Sequence, residues 1–175
     1  MLLGLVVSCT QQTPPPDTQQ SKAAPVQPQA QASPAAPATA SPAKTERGTP
    51  AEAKALLAQA VAHYNEVGRK QALADFNAKK APFVDRDLYV VCIGPNSVIT
   101  ANGGFPQYVG ASADVLRDAD GKPVGRAISD AVASNNEGSV QYQWINPVTG
   151  KREPKVLFVQ KVGEDVCGIG AYNPQ

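Results

Sequence analysis

The chain has 175 residues, a formal net charge of +1 and 42% hydrophobic residues. This length suits one modest domain with additional segments. The balanced charge gives no electrostatic reason to expect a nucleic acid partner, and the sequence contains no helix-turn-helix or zinc-finger spacing. We therefore expect no nucleic acid among its partners.

The N-terminal segment is apolar and ends at a cysteine. Its first nine residues, MLLGLVVSC, are too few to span a bilayer, which needs about 20 apolar residues. Val6-Val7-Ser8-Cys9 resembles the bacterial lipobox. This resemblance implies that residues 1–8 are a signal peptide remnant and that Cys9 carries a lipid anchor to a bacterial membrane. Thr10 after the cysteine slightly favours the outer membrane. The alternative is a chance cysteine.

A low-complexity segment follows Cys9. Nine of the 16 prolines fall within residues 10–50, whereas all ten aromatic residues fall within residues 64–172. A segment without aromatic residues and rich in Pro, Ala and Gln cannot form a core. The sequence thus predicts a lipidated, disordered tether over residues 9–48 and one folded domain over residues 49–175.

The folded part is predicted to begin with two helices. Thr49 is a helix N-cap, Pro50 suits the first helical position, and Glu52 completes a capping box. Apolar residues then recur at helical spacing, and Gly68 is expected to end the helix. A shorter helical segment follows and ends at Pro82.

The rest of the chain predicts strands with one short helix, over residues 123–133. Gly94-Pro95-Asn96-Ser97 is a turn signal between two apolar runs, which indicates a β-hairpin. The predicted strands are residues 88–93, 98–101, 139–145, 155–162 and 166–172. Strands joined by hairpins favour an antiparallel five-stranded sheet with the helices on one side, an α+β fold.

Four segments together resemble one bacterial family. They are FNAKKAPFVDRDLYVVC, GKPVGRAI, YQWINPVTGKREPK and VCGIGAYNP. In this order they are similar to the small single Cache sensor domains, whose fold is PAS-like. The resemblance implies a long N-terminal helix, short helices and a pocket over the sheet that binds a small molecule, often a short carboxylate. It also implies a periplasmic location and a histidine kinase, chemoreceptor or transporter as partner.

The candidate ligand-binding residues are polar or aromatic side chains on the predicted sheet. A small carboxylate needs one or two cationic or hydroxyl donors in an otherwise apolar concavity. Lys155, Tyr142 and Tyr89 are the candidate donors, and Trp144 is a candidate flat wall. Asn102 occupies the place where the resemblance implies a polar, often histidine-bearing stretch. For the aromatic pair, the alternative is ordinary core packing.

Two further groups are predicted to be structural. Arg86 is expected to form a salt bridge with Asp85 or Asp87 and so to order the start of the first long strand. Cys92 and Cys167 lie in the first and last of the five predicted strands. The resemblance implies that these strands are neighbours, so the two cysteines form either a disulfide or two buried thiols.

Enzymatic chemistry is not expected. His63 is the only histidine, and a metal site normally needs several ligands in one place. The sequence has no G-x-S-x-G elbow, P-loop or dinucleotide fingerprint. We expect no metal, no cofactor and no catalytic residue. The favoured function is a lipid-anchored small-molecule sensor, and the alternative is an accessory interaction module without a ligand of its own.

Overall fold

The computed structural model of the chain describes residues 47–174. The predicted signal peptide remnant (residues 1–8), the lipidated Cys9 and the tether up to residue 46 lie outside the described residues.

Two consecutive helices open the described part, as the sequence predicts. Helix α1 spans Pro50–Val67 and helix α2 spans Arg69–Asn77. The Thr49 side chain accepts a hydrogen bond from the Glu52 N–H, and the Glu52 carboxylate accepts from the Thr49 N–H, which forms the expected capping box. Helix α1 buries one stripe of its surface, comprising Ala53, Leu56, Leu57, Ala60 and Tyr64.

The sheet has six antiparallel strands, and the α+β fold class is confirmed. The strands are β1 (Val84–Asp85), β2 (Leu88–Ile93), β3 (Ile99–Asn102), β4 (Glu137–Ile145), β5 (Arg152–Val162) and β6 (Asp165–Tyr172). Their order is β1-β2-β6-β5-β4, with β3 also paired to β2. The sequence predicts five strands. The additional strand, β1, has only two residues, too few to show any alternation of apolar and polar side chains.

Helices cover both faces of the sheet, which corrects the expectation of helices on one side. Helix α1 packs with Val90 and Cys92 in one apolar cluster. Helix α3 (Val124–Ala131) packs with Val91 and Ile93 in a second cluster. Because successive strand residues point to opposite faces, the two clusters lie on opposite sides of the sheet. All six residues of β2 are accordingly buried, as expected for a strand covered on both faces.

A buried carboxylate ties the helices to the sheet. Asp165 in β6 is fully buried and accepts hydrogen bonds of 2.7 Å from each of the Tyr64 hydroxyl, the Arg69 Nε–H and the Thr100 hydroxyl. Burial alone raises the pKa of Asp165, but these hydrogen bonds outweigh it and hold the pKa below its ordinary value. Asp165 is therefore an ionised anchor for the junction of α1 and α2.

Strands β2 and β6 are joined covalently. The structure forms a disulfide between Cys92 and Cys167, which face each other across the two strands with a Cα–Cα separation of 4.1 Å. Both cysteines are buried in the cluster beneath α1. The disulfide thus links the adjacent strands β2 and β6 within the core.

Among the described residues, no helix combines the length and apolar character needed to cross a membrane.

Candidate functional site

A small cavity lies on the face of the sheet that α3 covers. Its volume is about 20 Å³. The walls come from strands β2 to β5, from α3 and from the segment before it. The nine lining residues are Tyr89, Val91, Asn102, Leu116, Val124, Ile128, Tyr142, Trp144 and Lys155. The structure therefore brings all five sequence-predicted ligand-binding residues together around one cavity.

Lys155 is the cation of this cavity. It lies opposite Tyr142 in the β4–β5 ladder and is only 2% exposed. Its Nζ donates hydrogen bonds to the hydroxyl oxygens of Tyr89 (2.7 Å) and Tyr172 (3.3 Å). The same atom lies 4.0 Å and 4.4 Å from the centroids of these two rings, within the range of cation–π attraction.

Gly170 makes room for the lysine. A Cβ atom at this position of β6 would lie 2.2 Å from the Lys155 Cε. Any side chain at this position would displace the lysine stem. The glycine thus determines where the ammonium group sits.

The ammonium group has no ion-pair partner among residues 47–174. Burial lowers the pKa of Lys155 well below its ordinary value, and the negative charge of Asp87 opposes this shift. Burial also raises the pKa of Tyr89 well above its ordinary value. The phenol therefore stays protonated and available for hydrogen bonding.

Aromatic rings form the wall beside the lysine. The Trp144 ring is half-buried, and its centroid lies 5.7 Å from that of Tyr142, 6.3 Å from that of Phe105 and 6.4 Å from that of Tyr108. Centroid separations of this size are typical of favourable aromatic pairs. Burial raises the pKa of Tyr142 well above its ordinary value. The wall is therefore apolar, with the neutral Tyr142 hydroxyl as its polar group.

Asn102 shapes the loop that carries Phe105. Its side-chain oxygen accepts a hydrogen bond of 2.8 Å from the Phe105 N–H. Its own N–H donates to the side-chain oxygen of Asn77 at the end of α2, at 3.0 Å. The residue thus lines the cavity and also fixes the position of one aromatic ring.

The Asp85-Arg86-Asp87 segment connects the sheet to the start of α1. Arg86 donates hydrogen bonds to the carboxylates of Asp85 (3.0 Å) and Glu52 (2.8 Å), and to the carbonyl oxygen of Arg47 (2.7 Å). Of the two alternatives, the structure forms the Asp85 salt bridge. Asp87 instead accepts from the Gly48 N–H at 2.7 Å.

The turn between β4 and β5 is built on a fully buried asparagine, Asn146. Its Nδ2 donates to the carboxylates of Asp87 and Glu153, each at 3.1 Å, and its Oδ1 accepts from the Val148 N–H at 2.9 Å. The hydrogen bond from Arg47, with others from Thr149 and Asn146, lowers the pKa of Glu153 to about 2. The segment YQWINPVTGKREPK, one of the four that carry the family resemblance, therefore has a structural role at this turn.

His63 lies apart from the cavity. It pairs with Asp75 through a 2.7 Å contact between Nε2 and Oδ2, and its ring stacks near Phe83 on the α1 side of the sheet. Within residues 47–174, no group of three or more His, Cys, Asp or Glu side chains is placed to hold a metal ion.

Three residues of the site were not predicted from the sequence: Tyr172, Phe105 and Tyr108. Tyr172 is the second hydroxyl partner of Lys155, and its position two residues after Gly170 on the same strand face was the available signal. Phe105 and Tyr108 lie on a Gly- and Pro-rich loop, where no periodicity indicates the direction of a side chain. The apolar lining residues carried no signal that separates a cavity from core.

Residues 38–171 match the family model of single Cache domain 2. This match covers more than half of the chain. The chain belongs to the single Cache domain 2 family. Its sequence resemblance to single Cache domains is thereby confirmed.

Solved structures show the same fold at low sequence identity. A methyl-accepting chemotaxis protein from Vibrio parahaemolyticus is 19% identical with a TM-score of 0.58, and the match covers 70% of this chain and 86% of that one. A periplasmic sensor domain of a chemotaxis protein is 22% identical with a TM-score of 0.54, covering 69% and 87%. A Cache chemosensory domain described for carboxylic acid recognition is 20% identical with a TM-score of 0.54, covering 69% and 85%. No curated protein matches the chain.

Proposed function

We propose that this Cache domain is a periplasmic sensor that binds a small carboxylate against Lys155. The observation that carries the proposal is a buried ammonium group that faces a cavity and lacks an ion-pair partner among the described residues. A buried cation without a direct ion-pair partner is costly. A ligand carboxylate would supply that partner and accept charge-assisted hydrogen bonds.

The remaining cavity walls suit the rest of a short carboxylate. Val91, Leu116, Val124 and Ile128 are apolar, and Trp144 provides a flat surface. A ligand site of this kind combines apolar walls with a few polar groups that fix orientation. The Cache structure described for carboxylic acid recognition supports the same ligand class.

The lipid anchor and the membrane partner are also part of the proposal. Cys9 would hold the protein on a bacterial membrane, with the outer membrane slightly favoured. The bound state would be reported to a histidine kinase, chemoreceptor or transporter. The likeness to chemotaxis sensor domains supports this partner class.

A thermal-shift screen tests the proposal. The full chain is screened against acetate and against three- and four-carbon carboxylates, with amines and amides as negative controls. Ligand at 100 times Kd adds about 2.7 kcal/mol to the stability of the folded state, which raises Tm by several degrees in a domain of this size. Absence of any shift at millimolar carboxylate would overturn it.

One observation favours the second candidate, an accessory interaction module. The cavity volume is only about 20 Å³, so the candidate ligand residues are close to packed. Exposed apolar side chains, including Val115 and Val148, then become candidates for a protein contact. This function predicts capture of a membrane partner by the ligand-free protein and no effect of carboxylates on that capture.

A further inference from the structure

The small volume of the cavity raises the question of how a ligand reaches Lys155. A volume of about 20 Å³ holds roughly one water molecule, so even the smallest carboxylate needs an opening. An outer groove of about 330 Å³ shares two residues with the cavity, Tyr142 and Lys155. The groove and the cavity therefore adjoin at these two residues.

The far wall of the groove is a turn, residues 117–123. The turn is closed on itself: Arg117 pairs with Pro123, and the Asp118 side chain accepts hydrogen bonds from the N–H groups of Asp120 (3.0 Å) and Lys122 (2.8 Å). Gly121 has a φ of +78°, which suits glycine in such a turn. The turn therefore has the internal bonding needed to move as one piece.

One side chain holds this turn to the sheet. The Lys122 Nζ donates a hydrogen bond of 2.7 Å to the carbonyl oxygen of Gln141 in β4. It is the only hydrogen bond between the turn and the sheet within residues 47–174. Both the turn and Lys122 are exposed, and a single exposed hydrogen bond contributes little net stability.

The two ends of the turn are cavity walls. Leu116 precedes it, Val124 follows it, and both line the cavity. The Val124 N–H donates to the Leu116 carbonyl oxygen at 2.9 Å, so this bond holds the two walls together at the base of the turn. Outward movement of the turn would break this bond, separate the two walls and open the cavity towards the groove.

We propose that the turn of residues 117–123 is the gate of the ligand site, and that Lys122 is its latch. With the latch on the Gln141 carbonyl, the cavity is closed. With the latch released, the turn swings from β4 and Lys155 becomes reachable along the outer groove, past Tyr142. The inference rests on the proposed function, because a gate has a purpose only if a ligand enters.

Hydrogen exchange of the ligand-free full chain tests the gate without any ligand. Lys122→Met removes the latch, and Lys122→Arg retains a donor. Loss of the hydrogen bond from Lys122 to Gln141 is expected to raise the exchange rate of the Val124 N–H about threefold to tenfold. In Lys122→Arg the rate is expected to stay close to that of the wild type. Lys151→Met, at an exposed turn elsewhere, is the matched control. An unchanged Val124 rate in Lys122→Met, or an equal increase at Ile169 in β6, would overturn the gate.

A second measurement separates the gate from the proposed function. Stopped-flow fluorescence of Trp144, the only tryptophan, follows acetate binding in the same variants. Lys122→Met is expected to raise the association rate by a similar factor. Acetate binding at an unchanged rate would overturn the gate and leave the carboxylate site intact. Faster Val124 exchange with no carboxylate binding would overturn the proposed function and leave the gate as a motion of the turn.

Discussion

The Nζ of Lys155 lies 2.7 Å from the hydroxyl oxygen of Tyr89, and both residues are buried. The direction of the hydrogen bonds around them is fixed. The Tyr172 hydroxyl donates to the Ile145 carbonyl oxygen at 2.7 Å, so the contact of 3.2 Å between the two phenols uses the Tyr89 proton. The Tyr89 oxygen is thus free to accept from the lysine. The Lys155 ammonium group thus has two hydrogen-bond acceptors and no direct ion-pair partner among residues 47–174.

Replacing Lys155 with methionine is predicted to stabilise the protein and abolish carboxylate binding. Methionine retains most of the volume, and the chain from Tyr89 through Tyr172 to Ile145 keeps its hydrogen bonds. Removal of the buried charge is expected to raise the free energy of unfolding by about 1 kcal/mol. Urea unfolding measures this change. Destabilisation of Lys155→Met would contradict the account, and the exposed Lys161→Met on the same strand should change stability by less than about 0.5 kcal/mol.

Carboxylate binding is predicted to take up protons. The pKa of Lys155 is lowered by burial in the ligand-free protein, and a bound carboxylate favours the charged form and raises it again. Between these two pKa values the complex holds more protons, so affinity falls as pH rises through this window. Calorimetry in buffers of different ionisation enthalpy measures the uptake. Proton release on binding would contradict the assignment of Lys155 as the carboxylate partner.

The lowered pKa of Lys155 also makes the free energy of unfolding depend on pH. The unfolded lysine keeps an ordinary pKa near 10.5, so between the lowered folded pKa and this value the unfolded state binds more protons. For this group, the free energy of unfolding therefore rises with pH across the window. Urea unfolding at several pH values checks the sign, with Lys155→Met as the control in which this contribution disappears.

The disulfide is predicted to stabilise the fold and to resist reduction in the folded state. Cys92 and Cys167 are 75 residues apart, and a loop of this size corresponds to about 4 kcal/mol in the chain-entropy model. The Cys92→Ala/Cys167→Ala double variant should lose a comparable amount. In a Cys9→Ser background, thiol titration of fresh protein after denaturation is expected to find no free thiol, and two free thiols would contradict the disulfide.

Asn146 is predicted to be the most sensitive residue of the β4–β5 turn. Asn146→Ala leaves one hydrogen bond fewer on each of the buried carboxylates of Asp87 and Glu153, and the expected loss is about 3 kcal/mol. Asn135→Ala, at an exposed site, is the control. A loss below about 1 kcal/mol in urea unfolding would show that the buried amide is dispensable.

The elements that depend on interactions between residues close in sequence were predictable from local sequence patterns. The Thr49 capping box set the start of α1, and the turn after Ile93 set the β2–β3 hairpin. The sequence predicted Tyr142 and Trp144 on one strand face and Lys155 on the paired strand, and the structure places all three around one cavity. The volume between them was not predictable, because it depends on where Leu116 and Phe105, which lie in segments without periodicity, pack against the sheet. The unbroken apolar run of β2 is typical of a strand that is covered on both faces. The sequence was nevertheless interpreted as a sheet with helices on one side.

Titration of a small carboxylate against the wild type and Lys155→Met shows whether Lys155 binds the carboxylate. Trp144 lines the cavity and is the only tryptophan, so its fluorescence reports binding at the site itself. We expect a saturable change with a short carboxylate in the wild type and in Lys161→Met, and none in Lys155→Met with an unchanged circular dichroism spectrum. Equal binding to the wild type and Lys155→Met would show that the carboxylate does not bind against Lys155.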